Sequence, residues 1–107
     1  MTTDVLSKLA QTIRDRRSGV STSSYTRQLL DAGTERCTKK FGEEAVELVI
    51  AAMAQSEAAV KSEAADVLYH LLVLLEARDV ALADVLSVLE GRMGTSGLEE
   101  KAARPKS

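Results

Sequence analysis

Aromatic residues are scarce in this chain, which has two tyrosines, one phenylalanine and no tryptophan among 107 residues. With 45% hydrophobic residues and so few rings, the core falls to Ala, Leu and Val, a composition that suits packed helices better than sheets. Cysteine is rarer still. Cys37 stands alone, so no internal disulfide can form, and without a CxxC or Cys/His cluster there is nothing to build a zinc site. Cys37 itself reads as a small residue on a helix, since no Cys/His arrangement surrounds it. Neither sign of charge dominates: the formal net charge is −2, and nothing in that balance recommends nucleic acid or an anionic membrane as a partner. Long apolar runs are also missing. The strongest, Val67 to Leu75, is interrupted by Tyr69 and His70 and falls far short of the ~20 residues that span a bilayer. The opening segment MTTDVLSKLAQTIRDRR has no continuous apolar stretch, so it does not read as a signal peptide and the expectation is a cytoplasmic protein.

What is present is helical periodicity. The length suits one compact domain, residues 1–107. Val5, Leu6, Leu9 and Ile13 place a first amphipathic helix at about 4–16, with Asp4 as its N-cap. SGVSTSS, residues 18–24, reads as a loop able to fold over something. A short helix carrying Leu29 and Leu30 is expected to stop at Gly33, with Thr34 capping the next. That third helix, about 35–53, carries Phe41, Ala45, Leu48, Val49 and Ala52 as one apolar stripe. Ser56 caps a fourth, about 57–78, whose apolar face runs through Val60, Ala64, Val67, Leu68, Leu71, Leu72 and Leu75. The short link between the third and fourth helices forces an antiparallel hairpin. A last helix is expected at about 82–92, followed by a flexible tail at about 94–107. No segment alternates with the period of a strand. The expected fold is all-α, four to five helices around a central antiparallel hairpin. Val46 and Ile50 lie off the first stripe, and Val73 and Leu74 widen the second, so the bundle should be completed by dimerisation.

Against this apolar background the acidic residues stand out. Lys40, Glu44 and Glu47 share a face of the third helix at i, i+4 and i+7, while Glu63, Asp66 and His70 share a face of the fourth at i, i+3 and i+7. If the hairpin brings those faces together, four carboxylates meet. Ionised carboxylates a few ångströms apart raise one another's pKa values and call for a counter-charge. Oxygen-only ligands favour Mg²⁺, or Mn²⁺, over zinc, and such ions keep positions open for water and phosphates. E-x-x-E alone is a weak signal that solvated helices carry constantly; two such pairs on adjacent helices, in apolar surroundings, are a better one. Lys39, Lys40, Arg27, Arg36, Arg92 and Lys101 are the candidate phosphate contacts, and Lys40 leads because it shares the acidic face. His70 serves equally well as a substrate contact or as a hydrogen-bonded structural residue.

The pattern E-x-x-E at Glu44 to Glu47, fifteen residues, then E-x-x-D at Glu63 to Asp66 resembles the all-α MazG-like nucleoside triphosphate pyrophosphatase superfamily. Within it, the blocks KKFGEEAVELVIAA and SEAADVLYHLLVLL, together with SYTRQLL and GLEEKAARP, resemble the phosphoribosyl-ATP pyrophosphatase family of histidine biosynthesis. The resemblance implies hydrolysis of the α-β phosphoanhydride of N1-(5-phosphoribosyl)-ATP to phosphoribosyl-AMP and pyrophosphate by a homodimer using Mg²⁺. It implies Glu44, Glu47, Glu63 and Asp66 as metal ligands, Lys40 as a phosphate contact with Lys39 second, and Glu43 as an aid in positioning water. His70 and Arg27 complete the substrate-binding candidates. The length leaves no room for the phosphoribosyl-AMP cyclohydrolase that acts next, which is expected as a separate polypeptide. Two other functions remain open at this level: a related pyrophosphatase clearing non-standard nucleotides, and a non-catalytic dimerisation module with solvated glutamates.

Overall fold

A computed structural model describes residues 3–19 and 24–93 of the chain. Among them are five α-helices and no strand: α1 (Thr3–Arg17), α2 (Tyr25–Ala32), α3 (Thr34–Ala54), α4 (Glu57–Ala77) and α5 (Leu82–Met93). The expected all-α fold is therefore observed, while the expected tail at 94–107 and part of the serine-rich loop lie outside the described residues.

Several boundaries follow from local chemistry. Ser56 has an extended backbone and its hydroxyl accepts the Ala59 N–H at 3.2 Å, opening α4. Ser24 does the same for α2, accepting from the Arg27 N–H at 3.3 Å. Gly33 separates α2 from α3 at φ 100° and ψ 173°, a conformation that only glycine adopts without strain. Two expected caps are corrected. Asp4 falls inside α1, which starts at Thr3. Thr34 is the first helical residue of α3 and its hydroxyl donates to the Ala77 carbonyl at 3.4 Å, tying the start of α3 to the end of α4.

α4 closes in a Schellman arrangement. The Asp79 N–H donates to the Glu76 carbonyl and the Val80 N–H to the Leu75 carbonyl, with Asp79 in the left-handed region at φ 57°. Arg17 of α1 reaches this terminus, donating to the Glu76 carbonyl at 3.1 Å, the Glu76 carboxylate at 2.8 Å and Asp79 at 2.7 Å.

α3 and α4 form the spine, joined through Gln55 and Ser56 and packed along their length. The core lies where α1, α2, α3 and α4 meet, built from Ile13, Leu29, Cys37, Leu72 and Val73. Cys37 is fully buried and its thiol donates to the Leu29 carbonyl, 3.2 Å away. The expected apolar stripe of α3 is corrected. Phe41, Ala45 and Leu48 are half-buried as expected, but Val49 and Ala52 are exposed and the fully buried residues are Cys37 and Ala51; Val46 and Ile50, read as off the stripe, are exposed together with Met53. On α4, Leu72 is buried and Val60, Ala64, Val67, Leu71 and Leu75 are half-buried as expected, while Leu68 is exposed and Val73, read as widening that face, is core. Both helices are apolar on more than one side, and periodicity does not say which side a neighbour from the same chain covers. The small side chains of Cys37 and Ala51 sit on the packed face of α3.

Candidate active site

The antiparallel hairpin brings the acidic faces of α3 and α4 together. Glu44, Glu63 and Asp66 offer carboxylate oxygens that all lie within 4.8 Å of one another, the spacing of ligands around one cation. Glu47, the fourth expected carboxylate, is outside that set but adjacent to it. It shares a hydrogen bond with Glu44 and its charge is felt by both Glu44 and Glu63. It is also the more exposed of the α3 pair.

The electrostatics are those of crowded carboxylates. Burial first, then the hydrogen bond and charge of Glu47, push the Glu44 carboxyl above the usual range, with Asp66 adding to the effect and His70 opposing it. Glu63 is pushed the same way, by desolvation first and then by Glu47 and Asp66. Such a donor set, oxygen only and short of positive charge, fits a hard divalent cation. Lys40 answers part of the charge, its ammonium 3.4 Å from Glu43 and 4.0 Å from Glu44. Its pKa is raised, first by the Tyr25 oxygen and then by Glu43.

A relay of side chains ties this face to α2. His70 is 7% exposed and its Nδ1 lies 2.9 Å from the Asp66 carbonyl oxygen, which can only accept, so Nδ1 carries a proton. In the neutral ring Nε2 is then the acceptor, and the Tyr25 hydroxyl donates to it at 3.2 Å. The Tyr25, Tyr69 and His70 rings pack together, Tyr25 nearly parallel to Tyr69 and His70 edge-on to both. The Tyr69 hydroxyl in turn bonds to Thr26.

The family profile described as "Phosphoribosyl-ATP pyrophosphohydrolase" matches residues 6–93, spanning all the groups just described. The chain belongs to the phosphoribosyl-ATP pyrophosphohydrolase family. Proteins named phosphoribosyl-ATP pyrophosphatase are similar over nearly their whole length. That of Cereibacter sphaeroides is 57% identical over 100 residues, covering 94% of this chain and 97% of its own. That of Dinoroseobacter shibae is also 57% identical, covering 94% and 98%. The Rhodobacter capsulatus protein is 54% identical over 99 residues, covering 92% and 96%.

Of the residues that the resemblance to this pyrophosphohydrolase family suggested, Glu44, Glu63, Asp66 and Lys40 are brought together, with Glu47 and Glu43 at the edge. Arg27 is not among them: its guanidinium donates to Asp31, 3.2 Å from Nε, and to the Gly19 carbonyl. Lys39 and Arg36 are exposed on α3, Arg92 is exposed on α5, and Lys101 lies outside the described residues. His70 is buried with both ring nitrogens engaged, which is its structural reading. Tyr25 was not singled out in the sequence, although it stands in the SYTRQLL block that carries the family resemblance. A separate cavity of about 310 Å³, lined by residues including Ala10, Arg14, Leu72, Glu76, Asp79 and Leu82, contains none of Glu44, Glu47, Glu63 and Asp66. The candidate site is the carboxylate cluster and not this cavity, because a hard divalent cation needs several oxygen donors converging on one point, and Glu44, Glu63 and Asp66 supply them within 4.8 Å.

Proposed function

We propose that the chain hydrolyses the α-β phosphoanhydride of N1-(5-phosphoribosyl)-ATP, releasing phosphoribosyl-AMP and pyrophosphate in histidine biosynthesis. The reading is supported by family membership, by the names of the relatives, and above all by the convergence of Glu44, Glu63 and Asp66 within 4.8 Å. Those three carboxylates, with Glu47 as the fourth, hold Mg²⁺, or Mn²⁺ in its place. When bound, the ion neutralises the triphosphate and acidifies a coordinated water. The chain's own groups do the rest. Lys40 directs its charge at the phosphates from the edge of the acidic face. A carboxylate of the cluster accepts the proton of the attacking water. His70 holds the Asp66 end of the site in place from beneath.

The protein acts as a homodimer in the cytoplasm, and its product passes to a phosphoribosyl-AMP cyclohydrolase. Among the described residues no helix is long and apolar enough to cross a membrane. Pyrophosphate release measured on phosphoribosyl-ATP and on a panel of ordinary nucleoside triphosphates tests the assignment. The expected result is clear preference for phosphoribosyl-ATP in the presence of Mg²⁺. Faster turnover of an ordinary nucleotide would move the chain to a different substrate.

A further inference from the structure

The proposed substrate carries a purine, and a purine in a water-exposed site gains most from an aromatic face. The chain has three aromatic residues. Phe41 is half-buried on α3, and Tyr69 is half-buried with its hydroxyl engaged by Thr26. Tyr25 is the exception, 49% exposed at the first turn of α2. Its exposure is not looseness. The hydroxyl is fixed on the Nε2 of buried His70, one ring face lies alongside Tyr69 at a centroid distance of 6.4 Å and 21° from parallel, and Ser24 caps the helix start beneath it. Through these partners Tyr25 borders the acidic face: His70 is anchored on the backbone of Asp66, and Lys40, whose charge the Tyr25 oxygen reaches, sits 4.0 Å from Glu44. An aromatic ring held rigid and half open to water loses little entropy when a base stacks on it.

Resting on the function proposed above, we infer that Tyr25 is a substrate-contacting residue whose exposed ring face stacks on the purine of the nucleotide while its triphosphate lies on the Glu44, Glu63 and Asp66 cluster. Tyr25 thereby selects for a nucleotide over a bare polyphosphate. Stacking of a base on an aromatic side chain is worth roughly 1–3 kcal/mol, which corresponds to a KM change of about fivefold to a hundredfold.

Steady-state kinetics on phosphoribosyl-ATP with Mg²⁺, for wild type, Tyr25→Leu and Tyr25→Phe, test the inference. Tyr25→Leu is expected to raise KM by about fivefold or more with kcat falling much less, and Tyr25→Phe, which restores the ring without the hydroxyl, to recover most of that loss. A KM in Tyr25→Leu within twofold of wild type overturns it, as does a Tyr25→Phe variant as impaired as Tyr25→Leu. A second measurement does not depend on the leucine variant folding. With no tryptophan in the chain, emission comes from Tyr25 and Tyr69 alone. Phosphoribosyl-AMP, which keeps the purine and is not turned over, should quench wild-type emission saturably and leave that of Tyr25→Phe unchanged. No quench in wild type, or an equal quench in both, overturns the stacking. Wild-type inactivity on phosphoribosyl-ATP is a different outcome, which removes the proposed function itself.

Discussion

Glu44 carries two burdens in the metal-free protein, because its side chain is only 13% exposed and other carboxylates face it. Its folded pKa lies above the ordinary value, as does that of Glu63. The sign of the consequence is fixed by linkage. Where the folded state holds its proton more tightly than the unfolded state, the stability contributed by the protonated group is present below the ordinary carboxylate pKa. It is lost as pH rises through the raised folded value. At neutral pH without metal, these groups therefore weaken the fold. Glu44→Gln, with EDTA present, should melt at a higher temperature than wild type at pH 7, and the gap should close as pH falls below about 4. Differential scanning calorimetry at the two pH values checks this; a neutral-pH melting temperature below that of wild type would show that the cluster is not strained by charge. Mg²⁺ should reverse the ranking, raising the wild-type melting temperature at pH 7 and raising that of Glu44→Gln far less. The same substitution, and Asp66→Asn, should lower kcat/KM by about 100-fold or more, the size of effect seen when one electrostatic partner of a transition state is removed. At this scale the sequence was informative about charge and silent about contact. The spacing of Glu44, Glu63 and Asp66 announced their faces, but the Tyr25 to His70 bond joins residues 45 positions apart. No local pattern encodes such a pairing.

Among the helices, the boundaries best read in advance were those written in side-chain chemistry. Ser56 and Gly33 mark their positions because a hydroxyl that accepts a helix N–H and a backbone that reaches positive φ are properties of single residues. Asp4 and Thr34 misled for a related reason. Both residue types favour caps, yet Thr34 finds a tertiary acceptor in the Ala77 carbonyl, and the cap position of α3 is taken by Gly33. The rotation of α3 was legible only in part: Phe41, Ala45 and Leu48 are half-buried as read, but apolar residues continue round the axis, so that Val49 was placed inward and is found outward. The Gly33 junction gives a direct test. An added Cβ meets no atom within 4 Å there, so a loss on substitution reports backbone conformation and not crowding. Gly33→Ala should lower the unfolding free energy by about 1–3 kcal/mol, measured by urea denaturation, with kcat for the folded protein little changed. An unaltered midpoint would mean that α2 and α3 can be joined by an ordinary residue.

For the whole molecule, the question is what covers the outer face of α3. Val46, Val49, Ile50 and Met53 recur at i, i+3, i+4 and i+7, one continuous stripe, and every one of them is at least half exposed. Burying a valine or isoleucine side chain contributes ~1.5–3 kcal/mol, so this stripe is a large unused source of stability in a single chain whose core, among the described residues, centres on Ile13, Leu29, Cys37, Leu72 and Val73. A second copy presents the same stripe, and a two-fold arrangement lets each cover the other. The opposite side of α3 carries Glu44, so association and the acidic site occupy different faces of one helix and a charge placed on the outer stripe need not touch the cluster. Ile50→Glu should therefore convert a dimer to a monomer, read by sedimentation velocity, and should lower the melting temperature because an apolar stripe is returned to water. If wild type itself sediments as a monomer at micromolar concentration, or if Ile50→Glu remains dimeric, the stripe is not the dimer contact and the molecule closes its bundle by another face.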